Sequence, residues 1–220
     1  MMDDGHGHTL TADAQAHAHA AHDEIEIPYT VHARPDTGLY NAKLGIWLFL
    51  ASEVMLFGAL FSTLILLRTS APTWPHGWQL LYVGWATANT FVLIGSSVTV
   101  VLAWANLRLG NLKMGKLYLA LTLLCGFIFM GIKAYEYGSK FSHHIYPSTD
   151  NFYATYFVMT GLHGLHVVGG MVVFAYLLLT ANKWYAEKRD QFTNRVETTG
   201  LYWHFVDLVW IFLFPILYLL

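Results

Sequence analysis

Charge is the first thing this chain lacks. Only 12% of its 220 residues are Asp, Glu, Lys or Arg, about half the share of an ordinary soluble domain. The net charge of −2, with no basic patch interleaved with aromatics, argues against a nucleic-acid partner. Cysteine is nearly absent too. Cys125 stands alone inside an apolar run, so no internal disulfide can form and the thiol reads as helix packing. No internal repeat is visible, and the long apolar segments lack the Gly/Pro-broken halves of many secondary transporters. The opening residues are acidic and His-rich rather than basic and then apolar, so they do not read as a cleavable leader.

What the chain has in quantity is apolar surface. Hydrophobic residues make up 55%, with 8 Trp, 13 Tyr and 14 Phe, and the mean hydropathy is +0.43. That combination points to the bilayer, with aromatics available for its interfaces. Five apolar runs are each about long enough to cross a hydrocarbon core: 44–67, 78–105, 117–137, 152–180 and 199–220. The expected fold class is therefore all-α, a polytopic membrane protein whose residues 38–220 form a five-transmembrane-helix bundle. Residues 1–37 form a polar tail. It carries His6, His8, His17, His19, His22 and His32 among Asp3, Asp4, Asp13, Asp23, Glu24 and Glu26. Such a composition has too little apolar surface to fold, and a disordered solvent-side tail is the expectation. Loose binding of divalent metal is the alternative.

Within the runs the polar residues stand out, because a charge in hydrocarbon is expensive and must face protein or water. In YWHFVDLVWIFLFPILYLL at 202–220, His204 and Asp207 sit three apart on one helix face, flanked by Trp203 and Trp210. A structural hydrogen-bonded pair is the preferred reading over a proton relay or ligand site. Glu53 lies in GIWLFLASEVMLFGALF, with Gly45, Trp47 or Leu48 and Ser52 on related faces. No cation stands one turn away on its own helix, so its partner must be another helix, a lipid headgroup or water. Asn89, Thr90, Gly95, Ser96, Ser97 and Thr99 in the second run read as helix-to-helix contact. Lys133 and Glu136, three apart near the end of the third run, read as a structural pair whose lysine snorkels. The fourth run holds VMTGLHGLHVVGG, with His163 and His166 on one face. Two imidazoles at that spacing cannot supply opposite axial ligands to one iron. Satisfied core histidines are preferred over a cofactor site or a proton-handling role.

Five crossings put the two ends of the chain on opposite sides. The side of the tail receives Arg34, Lys43, Arg108, Lys113, Lys116, Lys183, Lys188, Arg189 and Arg195. The other side receives Arg68 and Lys140, with Lys133 inside a span. That imbalance predicts a cytoplasmic N-terminus and an outer C-terminus.

Taken together, WLFLASEVMLF at 47–57, NT at 89–90 with SS at 96–97, KAYEY at 133–137, TGLHGLHVVGG at 160–170 and YWHFVDLVWIF at 202–212 carry a resemblance. The sequence resembles subunit III of the haem–copper terminal oxidases, cytochrome c oxidase subunit 3. It looks like the shorter five-helix bacterial form rather than the seven-helix one. The resemblance implies a non-catalytic subunit of a proton-pumping aerobic oxidase in the bacterial cell membrane. It implies no cofactor in this chain, with haem and copper held by partner subunits I and II and structural phospholipids at its flank. Subunit I would be the main contact, and cytochrome c or a quinol the electron donor to the complex. It marks Glu53, Lys133, Glu136, His163, His166, His204 and Asp207 as buried polar residues of structural or proton-related importance. The same role in a quinol oxidase is an alternative, and an autonomous channel or transporter is another.

Overall fold

A computed structural model of the protein describes residues 40–220, and the expectations for the tail at 1–37 lie outside them. The described chain is helical almost throughout. Its elements are α1 (Asn41–Ser70), the short α2 (Gly77–Leu80), α3 (Val83–Arg108), α4 (Leu112–Ser142), α5 (Asn151–Glu187) and α6 (Arg189–Phe214). A π-helical turn, Pro215–Leu219, continues α6. Five of these helices are long and apolar enough to cross a membrane.

The helices outrun the apolar runs that announce them. At 1.5 Å per residue the 37 residues of α5 reach about 55 Å, well beyond a hydrocarbon core of about 30 Å. The fifth crossing starts ten residues before the expected 199, because Arg189–Thr198 is polar yet helical. The third runs on to Ser142 rather than stopping at 137. The second is shorter at its start: Leu81 is extended, separating α2 from α3, so Trp78 is not part of the crossing helix.

Contacts along the bundle give its directions. The start of α1 is tied to α6 by Tyr40, whose hydroxyl reaches the Asn194 carbonyl at 3.3 Å, and by a 2.6 Å Lys43–Glu197 ion pair. Arg68, near the end of α1, donates to the Leu220 carbonyl at 3.2 Å. So α1 and α6 run parallel, and residues 40 and 220 stand at opposite ends, as five crossings require. Helix α3 runs antiparallel to α6, with Trp203 donating to Ser96 and Trp210 to Thr90.

Lipid is as apolar as leucine, so apolarity alone cannot bring such helices together; close packing and interhelical hydrogen bonds must. Trp203 has no exposed surface and is cupped by glycines: a Cβ on Gly170 of α5 would meet its ring at 2.8 Å, and one on Gly126 of α4 at 3.3 Å. The end of α3 is closed by Gly110 at φ 93°, whose N–H donates to the Leu107 carbonyl at 3.2 Å while Asn111 N–H donates back to the Asn106 carbonyl at 2.9 Å, and Arg189 adds a side-chain cap. Its guanidinium reaches Arg108 O at 2.7 Å and Leu107 O at 3.3 Å. The outward faces remain apolar, as with Leu179, Leu165 and Met55, and this is the surface of a polytopic membrane protein.

Candidate functional site

Three polar clusters lie inside the bundle, and each joins different helices. The deepest surrounds Glu136. Its carboxylate accepts from the Lys133 ammonium at 3.0 Å, from the Tyr156 hydroxyl at 2.8 Å and from the Tyr218 hydroxyl at 3.0 Å. Lys133 also donates to the Tyr218 hydroxyl, and its ammonium lies 4.8 Å from the centre of the Trp210 ring. Glu136 is 4% exposed and Lys133 7%. The lysine therefore does not snorkel: α4 continues for more than two turns beyond it, so the ammonium points into the bundle and is held by α4, α5 and the π-helical turn. The ammonium and two phenols give both carboxylate oxygens a donor.

The second cluster ties α1 to α5. Glu53 lies 2.9 Å from His166 Nε2, so its partner is indeed on another helix. His166 Nδ1 is 2.8 Å from the Leu162 carbonyl. A carbonyl can only accept, so Nδ1 carries a proton. The contact to Glu53 then needs one further proton, on the imidazole or on the carboxyl. Either way the pair is neutral as a unit. Tyr202 donates to the His166 carbonyl at 2.9 Å, and Phe57 packs edge-on against the imidazole. The inner face of α1 is Leu50, Phe57 and Leu64, whereas Trp47 and Leu48 face outward. Apolar grooves between α1 and α6 flank the pair. One of about 490 Å³ runs past Gly45, Phe49 and Tyr202, and another of about 280 Å³ past Phe57, Phe61 and Phe205.

The third cluster corrects the expected local pairing of His204 with Asp207. The two meet through Ser97 of α3, whose hydroxyl donates to Asp207 and lies 3.0 Å from His204 Nδ1. A hydroxyl that donates to the carboxylate must accept from the imidazole, so His204 carries its proton on Nδ1. Asp207 Oδ1 has no partner among the described residues. The small residues of the second run, read as contact surface, thus supply a bridging group.

His163 departs from the reading of two satisfied histidines. It is wholly buried, yet neither ring nitrogen has a hydrogen-bond partner among the described residues. The imidazole packs against the Phe129 and Trp210 rings, at 5.6 and 5.2 Å between centres. Lys140, expected in an outer loop, is instead 5% exposed at the end of α4. The clusters bring Lys133 to Glu136, Glu53 to His166, and His204 to Asp207 through a third residue. They do not bring the three groups into one centre. Among the described residues no three His, Cys, Asp or Glu side chains gather as a metal ion would need.

This arrangement can be set beside known proteins. The family profile of cytochrome c oxidase subunit III matches residues 32–220. The chain belongs to that family. A relative named "Probable quinol oxidase subunit 3", from Staphylococcus aureus strain USA300, is 32% identical over 201 residues, covering 87% of this chain and 94% of its own. A "Cytochrome c oxidase subunit 3" from Alkalihalophilus pseudofirmus is 33% identical over 187 residues, covering 82% of this chain and 87% of its own. Membership of the subunit III family, in multi-subunit oxidases, implies partner subunits for this chain. The five-helix bundle is that of a membrane-embedded respiratory oxidase subunit III.

Proposed function

We propose that this chain is the non-catalytic third subunit of a proton-pumping terminal oxidase in a bacterial cell membrane, steadying subunit I and supporting proton uptake and oxygen access. The observation that carries the reading is the subunit III profile across all five crossings, with relatives from two kinds of oxidase. The polar side chains support it, because they are spent on joining helices to one another rather than on lining a continuous path. A quinol as donor is the reading we take, since the relative named for a quinol oxidase is matched over more of its length. A cytochrome c donor is the second reading, carried by the 33% identical relative. Haem and copper belong to the partner subunits, and phospholipids cover the apolar flank. The basic bias favours residue 40 facing the cytoplasm and residue 220 facing outward.

The test is purification of the tagged chain from native membranes in mild detergent. Co-elution with a haem-bearing complex that consumes oxygen is expected, with activity on a reduced quinol rather than on reduced cytochrome c. A solitary oligomer free of haem-bearing partners would overturn the role and favour a channel or transporter. In the same membranes a cysteine at Asn182 should react with impermeant reagents only from the cytoplasmic face; labelling from outside reverses the orientation.

A further inference from the structure

The last turn of α4 places a second buried cation close to the Glu136 cluster, and this one is in direct contact with no acid among the described residues. Lys140 is 5% exposed; its ammonium donates to the Leu80 carbonyl at 3.3 Å and stands 5.5 and 5.3 Å from the Tyr153 and Tyr156 ring centres. Among the described residues no carboxylate lies within ion-pair distance of it. Glu136 is already taken by Lys133 and two phenols. An ammonium has three protons to donate, and Glu136, four residues back on α4, acts on this one only from beyond ion-pair distance. One carbonyl and two ring faces are a thin shell for it.

Lys140 also lines a cavity of about 370 Å³ at the end of the bundle that holds residue 220. That is within the ordinary range for a small-molecule site. Ser139, His143 and Gln79 contribute hydrogen-bonding groups, Trp78 and Tyr82 form apolar flanks, and no acidic side chain lines it. Trp78 and Tyr82 are 56% and 60% exposed, a placement that suits the membrane–water interface. A buried positive charge, three polar groups of different kinds and no competing acid are a recognition set for an oxyanion. We propose that this cavity binds a phosphate group, with Lys140 supplying the charge and His143, Ser139 and Gln79 completing its hydrogen bonds. The phosphate belongs either to the diester headgroup of an anionic lipid, whose acyl chains leave past Trp78 and Tyr82, or to free phosphate in solution.

The experiment is native mass spectrometry on the full chain, delipidated and offered three probes in turn. These are phosphatidylglycerol, diacylglycerol with the same acyl chains, and inorganic phosphate. One phosphatidylglycerol retained in preference to diacylglycerol identifies a lipid headgroup, and retention of inorganic phosphate alone identifies the free anion. In either case Lys140→Gln should weaken retention about tenfold, as loss of a charge-assisted contact would. Lys113→Gln, at an exposed position on the opposite end of α4, should leave it unchanged. His143→Gln, at an exposed position, carries the test should the Lys140 variant fail to fold, with a loss of about threefold expected for one hydrogen bond. Equal retention of diacylglycerol and phosphatidylglycerol, or phosphate-probe binding indifferent to both substitutions, overturns the proposal.

Discussion

Glu136 and Glu53 are both carboxylates within crossing helices, yet their surroundings are unlike. Glu136 accepts from an ammonium and two phenols drawn from α4, α5 and the π-helical turn, and its own helix packs closely with α3 and α5. Glu53 has one imidazole, and only 17% of the apolar stretch of its own helix is buried, against 33% for the helix of Glu136. Its side chain is 13% exposed, with apolar grooves on either side. The difference separates two uses of an acid in a membrane. A carboxylate met on both oxygens by donors from three elements fixes geometry, whereas a Glu–His couple on a lightly held helix rests on a single contact.

The largest effect should come from breaking the Glu136 side. Glu136→Gln removes the counter-charge and leaves the Lys133 ammonium buried among Tyr156, Tyr218 and Trp210. Breaking a buried pair from one side costs about 3–5 kcal/mol. Unfolding of the purified chain by graded addition of SDS in bicelles measures it. The double substitution Lys133→Met with Glu136→Gln should recover most of the loss, because it is the stranded charge that is expensive. A double variant as unstable as the single one would mean that the carboxylate acts through the phenols alone.

An intermediate effect is expected at the Ser97 bridge. Asp207→Ala leaves Ser97 without its acceptor and should cost about 1–3 kcal/mol. Ser97→Ala should cost a similar amount although it removes no charge, because Asp207 and His204 both lose their shared partner. In a double-mutant cycle the two losses should be far from additive. Additive losses would point back to a pair made locally along α6.

The five crossings were legible because the bilayer imposes their length: no other solvent demands about 20 apolar residues at a time. Their ends were not, because helix and apolar run are different things. Arg189–Thr198 is polar but helical, and the apolar run around Lys133 stops at Tyr137 while its helix continues to Ser142. The site was legible as a set of residue types. Glu53, Glu136 and Asp207 declare themselves by their cost in hydrocarbon. Their partners did not. Tyr156 and Tyr218 look like interfacial aromatics in sequence, and only the packing of α5 against the final turn points both hydroxyls at Glu136. Ser97 looks like a small contact residue. The pairing of Glu53 with His166, 113 positions apart, depends on how α1 lies against α5.

The smallest structural effect, and the sharpest functional one, is expected at Glu53. Because His166 holds its Nδ1 proton toward the Leu162 carbonyl, Nε2 of the neutral ring is an acceptor. A glutamine amide can donate to that nitrogen at the same distance, so Glu53→Gln keeps the α1–α5 link and should change stability by less than about 1 kcal/mol. Glu53→Ala removes the link, leaves Nε2 unpaired and should cost about 1–3 kcal/mol. What glutamine cannot do is give the proton up and take it back. If the Glu53–His166 couple supports proton uptake, the Glu53→Gln complex should retain subunit III in full and reduce oxygen at the normal initial rate. It should then inactivate sooner over many turnovers, or release fewer protons per electron. Oxygen consumption and proton release followed together on the purified complex measure both. Full occupancy with unchanged lifetime and unchanged proton release would leave Glu53 as a tie between two helices. Loss of subunit III from the Glu53→Gln complex would mean that the couple is held as an ion pair, whose imidazolium a neutral amide can accept from but leaves without its counter-charge.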